Sequence, residues 1–398
     1  LTDVTGVQTC ALPISVRAPH LTDLLFVKRP GETTRTTINK ELQERVTEIL
    51  NNHQKKLEEN NIFNSACIIV EVSGGSVLAY AGNSTLPEAK QHGGDVDIIR
   101  SERSTGSILK PFLYAGIQQS GELLPNSLVA DIPTRFQGFT PENFDMSYRG
   151  AVPAGSALSQ SLNIPAVRML QKYNSARFLN LLKRTGFTTF TKPAEYYGLS
   201  LILGGGETTL WELTGAYASL SRVLNNFYST RKYFSEDFHE PVLIEDRKEG
   251  VEKQIDPDPP YSASAIWLTF EALQKVNRPE SETGWQFFSS SPQLAWKTGT
   301  SFGFRDGWAV GTTPSYVIGV WTGNADGEGR PGLTGITTAA PLLFELYGLM
   351  EKEEWFKMPA EDLTTITVCR LSGYRASPDC PETKETYACT AGLRSEAC

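Results

Sequence analysis

Apolar residues recur at helical spacing between residues 38 and 61. Leu42, Val46, Ile49, Leu50 and Leu57 fall on one stripe, which predicts an amphipathic helix from Ile38 to Asn61. The period then changes. The run Cys67-Ile68-Ile69-Val70-Glu71-Val72, a Ser73-Gly74-Gly75-Ser76 turn and a second apolar run from Val77 to Gly82 predict a β-hairpin. Helical patterns return at Ser107–Gln119, closed by Gly121, and at Pro165–Arg184, Leu210–Asn225, Ser262–Val276 and Ala339–Met350. Leu294–Lys297, Gly307–Val310 and Tyr316–Trp321 are short β-type runs separated by Gly-rich turns. An early hairpin, a block of helices and a late set of antiparallel strands predict an α+β fold, with a sheet assembled from both ends of the domain.

Composition narrows the class. The 398 residues are enough for two or three domains, and Gly and Pro usage is ordinary, which excludes collagen-like and disordered chains. With 45 acidic against 37 basic residues the net charge is -8, spread along the chain. That balance argues against nucleic acid or an anionic membrane surface as the main partner. No stretch approaches the roughly 18 consecutive apolar residues of a membrane span.

The two ends read differently from the rest. Val4–Ile14 resembles the in-frame translation of a sequencing-library adapter, so residues 1–15 are set aside as an artefact. Four of the six cysteines, Cys369, Cys380, Cys389 and Cys398, fall in a turn-rich segment that predicts a small element held by disulfides in an oxidising compartment. Zinc is the rival reading, but spacings of eleven, nine and nine lack the C-x2-C pairs that zinc sites favour. Cys67 reads as a buried apolar residue. His20, His53, His92 and His239 are scattered and read as surface or capping residues, so neither a metal centre nor a cofactor is expected.

Three short motifs carry the chemistry. Ser107-Ile108-Leu109-Lys110 follows Gly106, which lets the chain turn sharply into a helix with Ser107 at its N-terminus. Lys110, three residues on, projects from the same face. A serine hydroxyl needs a base to take its proton, and a neutral lysine amine can do so if burial or a second cation depresses its pKa. Ser229-Thr230-Arg231-Lys232 fits the same pattern but opens no apolar helix, and reads as chance. In Ser161-Leu162-Asn163, at the end of a short helical turn before Pro165, the hydroxyl could relay a proton and the amide could hold a substrate carbonyl. In Lys297-Thr298-Gly299-Thr300, Gly299 admits a substrate backbone to a strand edge while Lys297, Thr298 and Thr300 suit a carboxylate. Taken singly, S-x-N reads as a helix cap and K-T-G as an edge-strand lysine.

In this order S-x-x-K, S-x-N and K-T-G form the signature set of penicillin-binding proteins and class A β-lactamases. From Ala18 to Cys398 the chain resembles the transpeptidase half of a class A penicillin-binding protein of the 1C subfamily. The stretches that carry the resemblance are Ala18-Pro19-His20, Thr36–Asn39, Arg103–Phe112, Pro141–Asp145, Ser161–Pro165, Leu203–Glu207 with Ala216–Ala218, Trp296–Thr300 with Arg305–Trp308, and Cys369–Gly373. The resemblance implies a penicillin-binding or serine β-lactamase-like fold, an antiparallel sheet flanked by helices with an all-helical subdomain. It implies residues 16–62 as a lead-in from a glycosyltransferase domain, 63–355 as the transpeptidase domain and 356–398 as the Cys-rich start of a further domain.

It further implies a periplasmic enzyme, at the outer face of the bacterial inner membrane, that cross-links peptidoglycan stem peptides. Ser107 would attack a D-Ala-D-Ala donor and an acceptor amine would resolve the acyl-enzyme. Lys110 would be the base and Ser161 a proton relay. Asn163 would bind the substrate backbone, and Lys297, Thr298, Gly299 and Thr300 its carboxylate end. The N–H groups of Ser107 and Thr300 would form the oxyanion hole. β-Lactams would acylate Ser107, and other cell-wall synthesis proteins are expected partners. Full-length relatives carry a membrane anchor and a glycosyltransferase domain, so the chain is expected to be a fragment that does not polymerise glycan. Relatives often have Pro where this chain has Thr105.

Other readings stay open: a class A β-lactamase, a β-lactam-binding sensor, and a weakly active scaffold of a cell-wall synthesis complex. The β-lactamase would need a deacylating Glu before a Leu-Asn pair. The suitably placed pair is Leu179-Asn180, and Ala176 stands where that Glu belongs. Among the aromatics, Phe136, Phe139, Phe144 and Tyr148 are expected to cover the core, and Trp296 and Trp308 to pack within the sheet.

Overall fold

A computed structural model of the chain describes residues 17–136, 138–245, 253–276 and 293–398. The adapter-like segment lies outside these residues. β1 (Asn64–Glu71) and β2 (Val77–Ala81) form the early hairpin, and β3 (Ala295–Thr300), β4 (Asp306–Thr312) and β5 (Tyr316–Gly323) form a late meander. The two groups join where β1 runs against β5, from Asn64 opposite Gly323 to Glu71 opposite Tyr316. The resulting antiparallel order is β2-β1-β5-β4-β3, with β3 at an edge, so the sheet is built from both ends of the domain as the pattern predicts.

Side chains alternate between the faces of a strand, so a strand buried at every position must be covered on both sides. β4 is such a strand. Lys40–Glu58 and Ala340–Tyr347 pack on one face, Leu210–Thr230 and Ala263–Leu273 on the other. Side chains cap three of these helices: Asn39 accepts from the Leu42 N–H, Thr209 from Glu212 and Ser262 from Ala265. Val46 and Leu50 of the first helix are fully buried in the same core as the sheet, so that helix is part of the domain body. No helix among the described residues is long and apolar enough to cross a membrane.

The helical block surrounds Lys110–Gln119, in which every residue from Lys110 to Gln118 is buried. Phe112 anchors it, edge-on to Phe187 at 5.3 Å and to Tyr217 at 5.2 Å. This helix starts three residues later than the pattern predicts. Ser107–Leu109 form turns instead, and Pro111, which needs no N–H partner in the first turn, fixes the start. The helix predicted over Pro165–Arg184 is two helices, Asn163–Tyr173 and Ser175–Arg184. Asn174, with φ at 80°, breaks the chain there, and its side chain accepts from the Ala176 and Arg177 N–H groups to cap the second helix. The apolar stripe continues across the break, which hid it from the periodicity.

The tail is an antiparallel hairpin, Leu363–Cys369 with Thr383–Cys389, followed by a single helical turn. It docks on the helical block: the close approach of the Ala391 carbonyl to Gly121 leaves no room for a side chain there. The expected disulfides are absent. Cys369, Cys380, Cys389 and Cys398 are all free thiols; Cys389 is buried apart from the others, and its thiol is pushed up to about 11 by that burial. Cys67 is fully buried as expected, with its thiol held far above the usual range by desolvation.

Candidate active site

The Ser107 turn meets the edge of the sheet through two glycines. Gly106 has φ at +51°, and a Cβ there would lie 2.5 Å from the Thr300 carbonyl oxygen. A Cβ on Gly299 would lie 2.8 Å from the Thr105 carbonyl oxygen. Without side chains at either position the turn seats directly on β3. Thr105 locks it from the other side, its N–H and hydroxyl donating to the Gly206 carbonyl at 3.1 and 3.2 Å. A proline at 105 would lack that N–H.

All three motifs open onto one cleft of about 510 Å³. Ser107, Ser161, Asn163, Lys297, Thr298 and Thr300 line it, while Gly299 lies behind, between β3 and the serine turn. Ser161 stands between helix Ala154–Ser159 and helix Asn163–Tyr173, which Asn163 opens and whose first turn contains Pro165. Ser229 and Lys232 lie elsewhere, at the end of helix Leu210–Thr230, where the Ser229 hydroxyl donates to the Asn225 carbonyl.

Ser161 is the pivot of the cleft. It has φ at 56°, a left-handed conformation that costs a non-glycine residue about 1–2 kcal/mol. In that conformation its carbonyl oxygen accepts from Lys110 Nζ at 2.6 Å, and its hydroxyl oxygen accepts from Lys297 Nζ at 2.8 Å. Lys110 also donates to Asn163 Oδ1 at 2.7 Å, and Lys297 to the Thr298 carbonyl at 2.6 Å. Both lysines are almost wholly buried, and neither forms an ion pair among the described residues. Burial, reinforced by the positive charge of Lys297, holds Lys110 well below the usual lysine range. Burial alone brings Lys297 down to about 7.

A neutral amine has two N–H bonds and one lone pair. The two acceptors around Lys110 take both N–H bonds and leave the lone pair to act as a base. The Ser107 hydroxyl makes no hydrogen bond to another described residue, Lys110 included.

Behind the motifs lies a buried support that the motifs do not announce. Asn143 Oδ1 accepts from the Asn163 N–H at 2.9 Å, and its Nδ2 donates to Asp131 Oδ1 at 2.7 Å and to the Ser147 carbonyl at 2.8 Å. Asp131, fully buried, also accepts from the Arg149 N–H at 3.0 Å. Asn163 Nδ2 donates to the Glu142 carbonyl at 2.7 Å, so its Oδ1 is turned toward Lys110.

The aromatics divide. Phe136 is buried in the core, and Trp296 and Trp308 pack within the sheet as expected, the Trp308 indole donating to the Ser104 carbonyl at 2.8 Å. Phe144 does not cover the core. It is 69% exposed, lines the cleft and meets Phe304 edge-to-face at 6.1 Å. Pro141–Arg149 forms no helix or strand that would turn this side chain inward. Of the histidines, His20 and His53 are buried rather than superficial, each bonded to a backbone carbonyl, of Gly94 and Thr338 respectively.

This arrangement matches a known family over most of the chain. The profile of the penicillin binding protein transpeptidase domain fits residues 65–341. The chain belongs to that family. Penicillin-binding protein 1C of Escherichia coli K12 is 31% identical over 84% of this chain and 40% of its own length. Penicillin-binding protein 1A of Rickettsia felis is 25% identical over 78% of this chain and 41% of its own. The chain thus spans about two fifths of these curated relatives. Solved penicillin-binding proteins share the fold at 18% identity. Penicillin-binding protein 1A of Haemophilus influenzae has a TM-score of 0.72, covering 94% of this chain and 76% of that one. PonA1 of Mycobacterium tuberculosis in complex with penicillin V has a TM-score of 0.63, covering 85% and 93%. Within the penicillin-binding transpeptidase fold, Lys110 lies on the buried central helix of the helical block and Lys297 on the edge strand of the sheet.

Proposed function

We propose that this chain is the serine D,D-transpeptidase unit of a cell-wall enzyme, working in the periplasm at the outer face of the bacterial inner membrane. Its substrates are peptidoglycan stem peptides, a D-Ala-D-Ala donor and an amine acceptor. Ser107 attacks the donor carbonyl as Lys110 takes the hydroxyl proton, and the N–H groups of Ser107 and Thr300 stabilise the oxyanion. Ser161 relays that proton from Lys110 to the departing D-Ala amine as the C–N bond breaks, leaving an acyl-enzyme on Ser107 and a neutral Lys110. The acceptor amine then attacks the ester and loses a proton to the neutral Lys110 amine, which returns it to the Ser107 oxygen as the ester C–O bond breaks. Asn163 holds the donor backbone, and Lys297, Thr298 and Thr300 take its terminal carboxylate. β-Lactams acylate the same serine, and the complete enzyme acts alongside other cell-wall synthesis proteins. The domain division follows the same reading, with 63–355 as the main part of the transpeptidase domain, 16–62 leading into it through helix Lys40–Glu58, which packs into the same core, and 356–398 beginning the next.

The observation that carries this reading is the state of Lys110: a buried amine without an ion-pair partner among the described residues, both N–H bonds engaged, in the cleft that Ser107 lines. Incubation with a fluorescent penicillin followed by intact-protein and peptide mass spectrometry tests it. One adduct on the peptide containing Ser107, lost in Ser107→Ala and in Lys110→Ala, is expected. An adduct that survives Ser107→Ala, or none at all, leaves a scaffold as the better reading.

A further inference from the structure

Cys369, Cys380 and Cys398 are scattered over the tail sequence, yet their three sulfurs lie within 4.8 Å of one another. The backbone brings them together. Arg375 forms bridges to Val368 on one side and Ala397 on the other, which sets Cys369 beside Cys398. The Cys398 N–H donates to the Arg375 carbonyl at 2.8 Å, and the Cys369 N–H to the Tyr374 carbonyl at 2.9 Å. Cys380 enters from the connection between the hairpin strands, in a turn where the Ser377 N–H donates to its sulfur at 3.3 Å.

Two features separate this cluster from a disulfide. Three sulfurs converge, whereas a disulfide takes two at about 2.05 Å and strands the third. N–H and O–H donors also reach the sulfurs from the surrounding turns. Ser377 serves Cys380, and the Ser372 hydroxyl donates to Cys398 at 3.2 Å. Three adjacent thiolates repel one another unless a cation sits among them. Sulfurs bound at about 2.3 Å around one tetrahedral centre stand about 3.8 Å apart, within the spread seen here.

We propose that Cys369, Cys380 and Cys398 form a three-thiolate site for a soft divalent cation of the zinc type. Each thiol gives up its proton on binding, and the fourth tetrahedral position takes water or another exogenous ligand. The absence of C-x2-C pairs does not count against the site, because the hairpin and the Arg375 bridges do the work that close spacing does elsewhere. Its role is structural. The Cys369–Gly373 turn docks on the domain: the Leu128 N–H donates to the Ser372 carbonyl at 2.9 Å, and the Ser127 hydroxyl to the Gly373 carbonyl at 3.2 Å. Leu128 begins the strand that ends at Asp131, the buried carboxylate behind Asn143. A bound cation therefore braces the outer end of the support behind the cleft.

The test titrates Co2+ into the reduced, chelator-treated 398-residue chain. The expected result is thiolate-to-cobalt charge transfer and tetrahedral ligand-field absorption saturating at about one Co2+ per chain, both erased by Zn2+. Cys389→Ser should leave the stoichiometry unchanged, while Cys398→Ser should weaken binding about tenfold or more. Alkylation guards against a variant that fails to fold: Zn2+ should protect Cys380 and Cys398 of the unmodified chain from iodoacetamide. Absence of the charge-transfer band, unchanged alkylation with Zn2+, or a disulfide between two of the three that forms in preference to metal binding would overturn the proposal.

Discussion

Lys297 Nζ donates to the Ser161 hydroxyl at 2.8 Å, and the same serine offers its carbonyl to Lys110 on the other side. One residue in a left-handed conformation thus separates two buried amines that would repel each other if both were charged. Under the proposed mechanism the pair divides the labour: Lys110, depressed by burial and by its neighbour, serves as the base, and Lys297, at about 7, holds a proton for a carboxylate.

That division sets a pH dependence. A carboxylate-bearing penicillin needs Lys297 protonated, so the second-order acylation rate constant should fall as pH rises above about 7. Lys297→Arg should move this alkaline limb out of the accessible range, since a guanidinium keeps its proton. Stopped-flow acylation between pH 5 and about 10 checks both. A limb unchanged by the substitution would assign it to another group.

The same burial weighs on stability. Below about pH 7 Lys297 is protonated in both the folded and unfolded chain, and the folded state bears the whole cost of the buried charge. Between about 7 and its ordinary 10.5 the unfolded chain holds a proton that the folded chain has shed, so this contribution makes stability rise with pH. Lys297→Met should therefore raise the unfolding free energy at pH 6, by on the order of a few kcal/mol at most, and with it the thermal midpoint, and much less so at pH 10. Differential scanning calorimetry at the two values decides it; an equal shift at both would mean that packing, not charge, is responsible.

Asn143 should matter although it touches no substrate. Asn143→Ala strips a partner from the Asn163 N–H and from buried Asp131, which should cost about 1–3 kcal/mol. Because Asn163 turns its Oδ1 to Lys110, acylation should slow as well. Asn143→Asp should be worse, since it sets a second carboxylate against Asp131. Thermal unfolding and penicillin acylation rates, read together, separate this positioning role from a loss of stability alone.

Legibility in the sequence followed the range of the interaction. The strands of the sheet and the capped helices at Asn39, Thr209 and Ser262 are set by neighbouring residues, and their periodicity marked them. Ser107, Ser161 and Lys297 were legible because each sits in a short motif, although nothing local says that they meet. Asn174 was missed because its helix break leaves the apolar stripe intact. Asn143 was missed because its role depends on contacts across the fold; the tail cysteines were singled out, but their spacings did not show that three of them converge; and Phe144 was missed because exposure of an aromatic on a loop has no period to announce it.

Phe144 and Phe304 form an apolar rim over the polar floor of the cleft. An aromatic side chain on a penicillin can join that pair, an interaction worth about 0.5–1.5 kcal/mol. Phe144→Ala should weaken the initial binding of such a penicillin by about three- to tenfold and leave the limiting acylation rate unchanged. A β-lactam with a compact side chain should show a smaller change. A fall in the limiting rate for both compounds would instead place Phe144 in the support of Ser107.

Release of the acyl group should be slow. No carboxylate side chain is among the described residues that line the cleft, and Ala176 lies outside it. Without a carboxylate in the cleft to orient and activate water, the ester on Ser107 is protected from hydrolysis. Penicillin should therefore give a burst of about one equivalent followed by turnover slow enough for the adduct to survive gel filtration. Introducing a carboxylate that reaches the ester should shorten its lifetime. Steady hydrolysis at a rate comparable to the burst would show that a residue of this cleft already activates water, and would move the chain toward the β-lactamase reading.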